Sequence, residues 1–407
     1  MGKIRAITGL TILITFVLTA FVWAGPALLI TPKLGLGYRY DSNYYNSANN
    51  SAGVHTYLVE PGINVQFSTA KSMISFDYTA SPTFYDDADD LKPGQIKASK
   101  ADYVGHDLAL NAMTQPNERL ELALSETYSL TRDPDKLDQY SNETGKDKYY
   151  INTFSPRVLY SFTDRFSGQA TYRNTLTNYD DPNGEDNQEN RGIFDIIYNL
   201  NSKSSLDLEY QIWARDYDML TSDYTSHQGK LIYRQQFHYF QVEAGAGYQS
   251  REFDVVGIKD IETFTYRVAL EGQNPPDDGD PRSYVRAAFS SNFNDAGSGN
   301  EYYKGPELSL SGGHRFLEKI YLDVWTSYRK SDYETTYGLN SSNVLVLRED
   351  DTYEIGARLG YKIIEPIVIS IEGGYKNRDS NVAAYSYDNT YVMGRIDTAL
   401  EFGRRAN

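Results

Sequence analysis

Five histidines are spread along the chain, at His55, His106, His227, His238 and His314. None stands at metal-binding or catalytic spacing from another. There is no cysteine, which removes thiol chemistry and cysteine-based metal sites and fits an exported chain that needs no disulfides. No Gly-x-Ser-x-Gly elbow occurs, so a serine–histidine pair would have to be assembled by the fold. Two acidic runs remain. Asp86-Asp87-Ala88-Asp89-Asp90 has the hard oxygen donors that a divalent cation takes, but reads first as a solvated loop. Asp277-Asp278-Gly279-Asp280 resembles part of a calcium loop without the downstream ligands. We therefore expect no catalytic residue, no metal and no cofactor.

The chemistry that does recur is charge at every second position. In 205–217 the residues Leu206, Leu208, Tyr210 and Ile212 alternate with Asp207, Glu209, Gln211 and Arg215. In 320–333, Leu322, Val324 and Tyr328 alternate with Asp323, Trp325 and Arg329. In 261–273, Phe264, Tyr266, Val268 and Leu270 alternate with Thr265, Arg267 and Glu271. A period of two is a strand with different surroundings on its two faces. Turning the charged face to lipid would cost up to about 2–4 kcal/mol per midplane Arg or Lys. The charged face must therefore look into a hydrated interior. Ten residues are expected to line it: Arg173, Asp207, Glu209, Arg215, Arg267, Glu271, Asp323, Arg329, Arg358 and Arg395. An ion-pair network that stiffens the wall is the plainer reading of each; a transverse field that selects a solute is the sharper one.

The elements that position these residues follow from the whole chain. Residues 1–24 read as a signal peptide: Lys3 and Arg5, an apolar run from Ile7 to Val22, then Ala24 as the cleavage position. Residues 25–407 read as one domain. Mean hydropathy is well below zero, and no apolar run in that domain is long enough for a spanning helix. Yet aromatic residues make up 14 % of the chain, with 36 Tyr against 5 Met. Tyrosine in such excess suits a membrane–water interface. The net charge of −16 makes nucleic acid a poor partner. Strand segments recur about every twenty residues, from Leu28–Tyr44 through one at Asn190–Leu200 to a closing strand at Tyr391–Phe402, with short and long connections alternating and a long loop at Glu334–Glu349. The expected fold is all-β: a transmembrane, antiparallel, up-and-down β-barrel of about eighteen strands, with sixteen as the alternative count. An even number places both termini in the periplasm.

The stretch Leu36-Gly37-Tyr38-Arg39-Tyr40-Asp41-Ser42-Asn43-Tyr44, the Val59-Glu60-Pro61-Gly62-Ile63 element and the tyrosine-rich strands that follow resemble the Putative beta-barrel porin 2 family of Gram-negative outer membranes. That resemblance implies an outer-membrane barrel, in some members tied to exopolysaccharide or capsule systems, and implies no catalytic residues. Many such barrels end on an aromatic residue read by the barrel-assembly machinery; here Phe402 is followed by five more residues.

The expected function is a passive channel or export conduit for hydrophilic solutes. The alternative is a closed or plugged barrel that docks within a polysaccharide system. Its expected surroundings are outer-membrane lipid, lipopolysaccharide and the assembly machinery, with a hydrophilic solute or polysaccharide inside.

Overall fold

The computed structural model describes residues 27–48, 51–90, 97–132, 147–255, 257–275, 281–293 and 302–403. The expected signal peptide and the Asp277–Asp280 run lie outside the described residues.

Eighteen long strands form a closed antiparallel barrel. They are β1 (Ala27–Asp41), β2 (Val54–Ser68), β3 (Ser72–Asp87), β4 (Tyr103–Asn117), β5 (Leu120–Thr131) and β6 (Tyr149–Ser161). Then come β7 (Phe166–Tyr179), β8 (Asn187–Asn201), β9 (Ser204–Tyr217), β10 (Tyr224–Gln236), β11 (Phe240–Phe253) and β12 (Ile261–Asn274). The last six are β13 (Ser283–Phe293), β14 (Tyr303–Phe316), β15 (Ile320–Leu339), β16 (Leu345–Ile364), β17 (Ile367–Ser380) and β18 (Tyr387–Ala399). Each pairs with its neighbour in sequence, and β18 returns to pair with β1 from Asp41↔Tyr391 to Lys33↔Ala399. Closure removes the free edge that lipid cannot satisfy.

The short turns at one end share a local device. A polar side chain caps the amides that the turn leaves open. Asn117 Oδ1 accepts from the Arg119 and Leu120 amides at 2.9 and 3.0 Å. Thr163 Oγ1 accepts from Phe166 at 3.0 Å, and Asn201 Oδ1 from Lys203 at 2.8 Å. Most of the longer connections emerge at the opposite end; the β12–β13 connection, 275–282, is the longest on the short-turn side.

Two expected boundaries are corrected. The long loop read at 334–349 is mostly strand. β15 runs on to Leu339 and β16 begins at Leu345, joined by a turn in which the Asn340 amide donates to Val344 O at 3.0 Å. A register shift between Asp332 and Tyr337 separates this hairpin tip from the barrel wall. Charges at Glu334, Glu349 and Asp350 hid the alternation of Tyr337, Leu339, Leu345 and Leu347.

The closing strand also differs from the expected Tyr391–Phe402. It starts at Tyr387, breaks after Ala399 and resumes only as Phe402–Gly403, which pairs with Ile30 and Leu29. Pro32 explains the break. Its carbonyl accepts from the Leu400 amide at 3.1 Å, but proline has no N–H to return.

Candidate functional site

The two faces of the wall are chemically distinct. On β9, Leu208, Tyr210 and Ile212 are exposed while Asp207, Gln211 and Trp213 are buried. On β12, Phe264 and Val268 are exposed, whereas Thr265 and Ala269 are buried. The exposed apolar set faces lipid and the paired polar set faces inward.

The inner face carries ion pairs around most of the circumference. Asp207 pairs with Arg234, and Glu209 with Lys230 at 3.2 Å. Arg215 meets Glu189 at 3.1 Å, and Arg267 meets Glu243 at 3.4 Å. Arg358 contacts Asp323 at 3.1 Å. Arg395 contacts Glu60 at 2.6 Å and Asp397 at 2.8 Å. Glu271 stands opposite Arg286 in the β12–β13 register, and Arg329 opposite Glu307 in β14–β15. Arg173 stands opposite Arg191, so two like charges share one row. It also borders a cavity of about 440 Å³ with Arg157, Gln169, Asp195 and Glu209. There Gln169 donates to Asp195 at 2.9 Å and Arg157 pairs with Glu121.

Of the ten residues named from sequence, Asp323 and Arg358 pair with each other. Asp207, Glu209, Arg215, Arg267 and Arg395 meet partners that were not among the ten: Arg234, Lys230, Glu189, Glu243, and Glu60 with Asp397. The available signal was their parity. Each sits an even number of residues from another inward position on its own strand. Glu189 was missed because β8 begins three residues earlier than the expected Asn190.

Inward glycines let long side chains cross a strand. Lys33 of β1 reaches Asp77 of β3 at 2.7 Å, and its stem occupies the space over Gly62 of β2. A Cβ at Gly62 would stand 2.8 Å from Lys33 Cε.

At the long-loop end the inner wall becomes aromatic and arginine-rich. Arg348 is fully buried. Its Nε donates to both Asp350 oxygens at 3.0 Å, and its guanidinium lies 3.5 Å from the Tyr385 ring centroid and 4.4 Å from that of Tyr333. Arg251 is 1 % exposed, donates to Ser226 Oγ at 3.1 Å and stacks 4.1 Å from Tyr224. Tyr224 in turn packs with Trp213, Tyr217 and Tyr302. Cation–π contact offsets the desolvation of both arginines, and the Asp350 carboxylate adds to it for Arg348.

The histidines take other roles. His55, His106 and His227 face outward, each within 2.8–2.9 Å of a tyrosine hydroxyl: Tyr38, Tyr78 and Tyr210. His238 packs edge-on against Tyr239. His314 Nδ1 lies 2.7 Å from Ser283 Oγ on the outer face near the short turns. This is a serine–histidine contact of the kind a lipid-facing hydrolase needs, but among the described residues no carboxylate bonds to His314. Among the described residues no group of three or more His, Cys, Asp or Glu side chains could hold a metal ion.

The Putative beta-barrel porin 2 family model matches residues 238–398, the span from the β10–β11 turn through most of β18. The first-strand and Val59–Ile63 stretches that carried the resemblance lie before the matched segment. No curated protein sequence matches the chain. Similar solved structures include the outer membrane protein OpdK of Pseudomonas aeruginosa, at 12 % identity and a TM-score of 0.46 over 92 % of this chain and 99 % of that one. OccK5 (OpdH) of the same organism gives 10 %, 0.48, 92 % and 98 %. OccAB3 of Acinetobacter baumannii gives 11 %, 0.47, 92 % and 99 %. The strand pairing makes the chain a closed antiparallel β-barrel of eighteen long strands. Over residues 238–398 it matches the family that its sequence resembles.

Proposed function

We propose that this barrel is a passive outer-membrane channel for hydrophilic solutes. One observation carries the reading: a closed wall whose outer face is apolar and whose inner face holds ion pairs along much of its height. A barrel of eighteen strands is wide enough to leave an aqueous path. The ten inward residues named above line that path and, with their partners, set its local field. Acidic and basic groups interleave on the wall, so the lumen itself discriminates weakly by charge. Residues 1–24 direct export and are removed, and both ends of the barrel chain face the periplasm on the side of the short turns. The long connections then face outward, where Asp89, Asp181, Asp218 and Asp254 make an acidic vestibule.

Planar-bilayer conductance of refolded residues 25–407 tests this reading. Stable open steps, with a reversal potential in a salt gradient, are the expected result. A folded, heat-modifiable barrel that passes no current would overturn it in favour of a closed docking barrel.

A further inference from the structure

The cavity of about 440 Å³ on the wall from β5 to β9 has charges that the ion-pair network leaves open. Four charged side chains line it: Arg157, Arg173, Asp195 and Glu209. Two are taken. Arg157 pairs with Glu121, and Glu209 with Lys230 at 3.2 Å. Arg173 and Asp195 form no ion pair among the described residues. The neighbouring charges show why. Arg173 stands opposite Arg191. Glu189, on the same strand as Arg191, is held by Arg191 at 2.8 Å and by Arg215 at 3.1 Å, so it is not free for Arg173. Asp195 accepts the Gln169 amide at 2.9 Å. The nearby cations Lys230 and Arg234 are engaged by Glu209 and by Asp207 with Glu243.

Arg173 and Asp195 are also kept from each other. Asp195 of β8 is in register with Gln169 of β7, four residues before Arg173, which is about 13 Å of strand. A guanidinium therefore stands toward one end of the cavity and a carboxylate toward the other. Along these two strands the inward residues between them, Thr171 and Ile193, are neutral. Both charged residues are half-buried, so each keeps surface open to the lumen.

We propose that this cavity binds small zwitterions of amino-acid or dipeptide size, with the carboxylate on Arg173 and the ammonium on Asp195. A guanidinium holds a carboxylate through two parallel hydrogen bonds, and an ammonium donates to a carboxylate in the same charge-assisted way. A simple anion or a simple cation fills one end and leaves the other charge unpaired. A zwitterion fills both and brings no net charge into a wall that already balances its own. The cavity volume suits a solute of this size. The proposal rests on the channel reading and names a solute class for the same lumen.

Saturation-transfer NMR on refolded residues 25–407 in detergent tests the site without requiring a current. L-alanyl-L-alanine should bind saturably. N-acetyl-L-alanine keeps only the carboxylate and L-alaninamide only the ammonium, so each should bind about tenfold more weakly, the loss of one charged hydrogen-bonded contact. Arg173→Gln should weaken the dipeptide about tenfold and leave L-alaninamide unchanged. Asp195→Asn should weaken the dipeptide by a similar factor and leave N-acetyl-L-alanine unchanged. Heat-modifiable migration confirms that each variant folds, and Arg173→Gln removes a like charge opposite Arg191, so it should fold at least as well as the parent. The site is overturned if the dipeptide does not bind the folded parent, if either singly charged analogue binds as tightly, or if either folded variant binds the dipeptide like the parent. Binding without bilayer conductance would overturn the channel and keep the site; conductance without binding would overturn the site and keep the channel.

Discussion

Arg395 of β18 reaches across β1 to Glu60 of β2 at 2.6 Å, and it does so over Gly35. A Cβ at Gly35 would stand 2.9 Å from the Arg395 guanidinium and 3.1 Å from Glu60. The last strand is therefore tied to the second as well as the first, and the seam of the barrel carries an ion pair that skips a strand. Arg395→Ala should destabilise the barrel by about 1–3 kcal/mol, since it leaves Glu60 partly buried and unpaired. Gly35→Val should do comparable harm by displacing the guanidinium. Denaturant midpoints in micelles, compared with an exposed-turn control such as Lys71→Ala, check this.

The orientation of the wall predicts opposite responses on its two faces. Leu231 is half-exposed on the outer face near the middle of β10. Leu231→Arg should cost about 2–4 kcal/mol and lower the folded yield in lipid vesicles. Ala288→Arg on the inner face of β13 should fold and change the current instead. Equal yields for the two would reverse the assignment of faces.

Arg348 and Asp350 predict a non-additive pair. Arg348→Ala leaves the buried Asp350 carboxylate with the more distant Arg378, 3.9 Å away, and should destabilise the outer mouth, read as noisier, larger conductance. The double change Arg348→Met with Asp350→Leu should recover most of that loss. A double-mutant cycle with no coupling would refute the buried pair.

The acidic vestibule predicts a cation preference that depends on salt. Exposed carboxylates are screened beyond about 10 Å at 0.1 M salt and within about 3 Å at 1 M. The reversal potential should favour cations at low salt and approach the neutral value at 1 M. A preference that persists at 1 M would place the selecting charges deeper, on the inner wall.

Ser283 and His314 predict an absence of hydrolysis. Without an acid to orient the ring, the serine should not react with a fluorophosphonate probe at a rate above Ser283→Ala. Labelling that depends on both residues would establish an enzyme.

Tyr44 gives a pH dependence. It sits in the β1–β2 connection, and burial, aided by Tyr85, pushes its phenol up from the usual tyrosine range. The folded state holds the neutral form more tightly than the unfolded state does. The stability it contributes is fully present below pH 10 and falls as pH rises above that value. Tyr44→Phe should flatten the alkaline limb of a stability profile.

Much of the fold is legible in the sequence because lipid outside and water inside impose a period of two on every strand. The expected strands match the observed ones in number, and their ends mostly agree within a few residues. What the sequence hides is non-local. The break in β18 is caused by Pro32, which lies on another strand. Arg348 falls inside a stretch that its charged neighbours make look like loop. The partners of the inward charges come from adjoining strands, so a residue such as Arg395 can be placed on a face without Glu60 being known. Gly356 and Gly374 look like breakers within their own segments. Their use appears only when Trp325 and Tyr391 are laid beside them.

Among the described strands β15 and β16 are the longest, 20 residues each, and their tip carries the wall beyond the register shift at Asp332. Tyr337, Leu339, Leu345 and Leu347 are exposed on it, while Gly338 packs against Val382. The molecule therefore has a front and a back. In a crowded membrane, neighbours approaching from the raised side meet an apolar parapet above the headgroups. Lateral traffic past the mouth is not isotropic, and a bulky surface polymer would be kept clear of that flank.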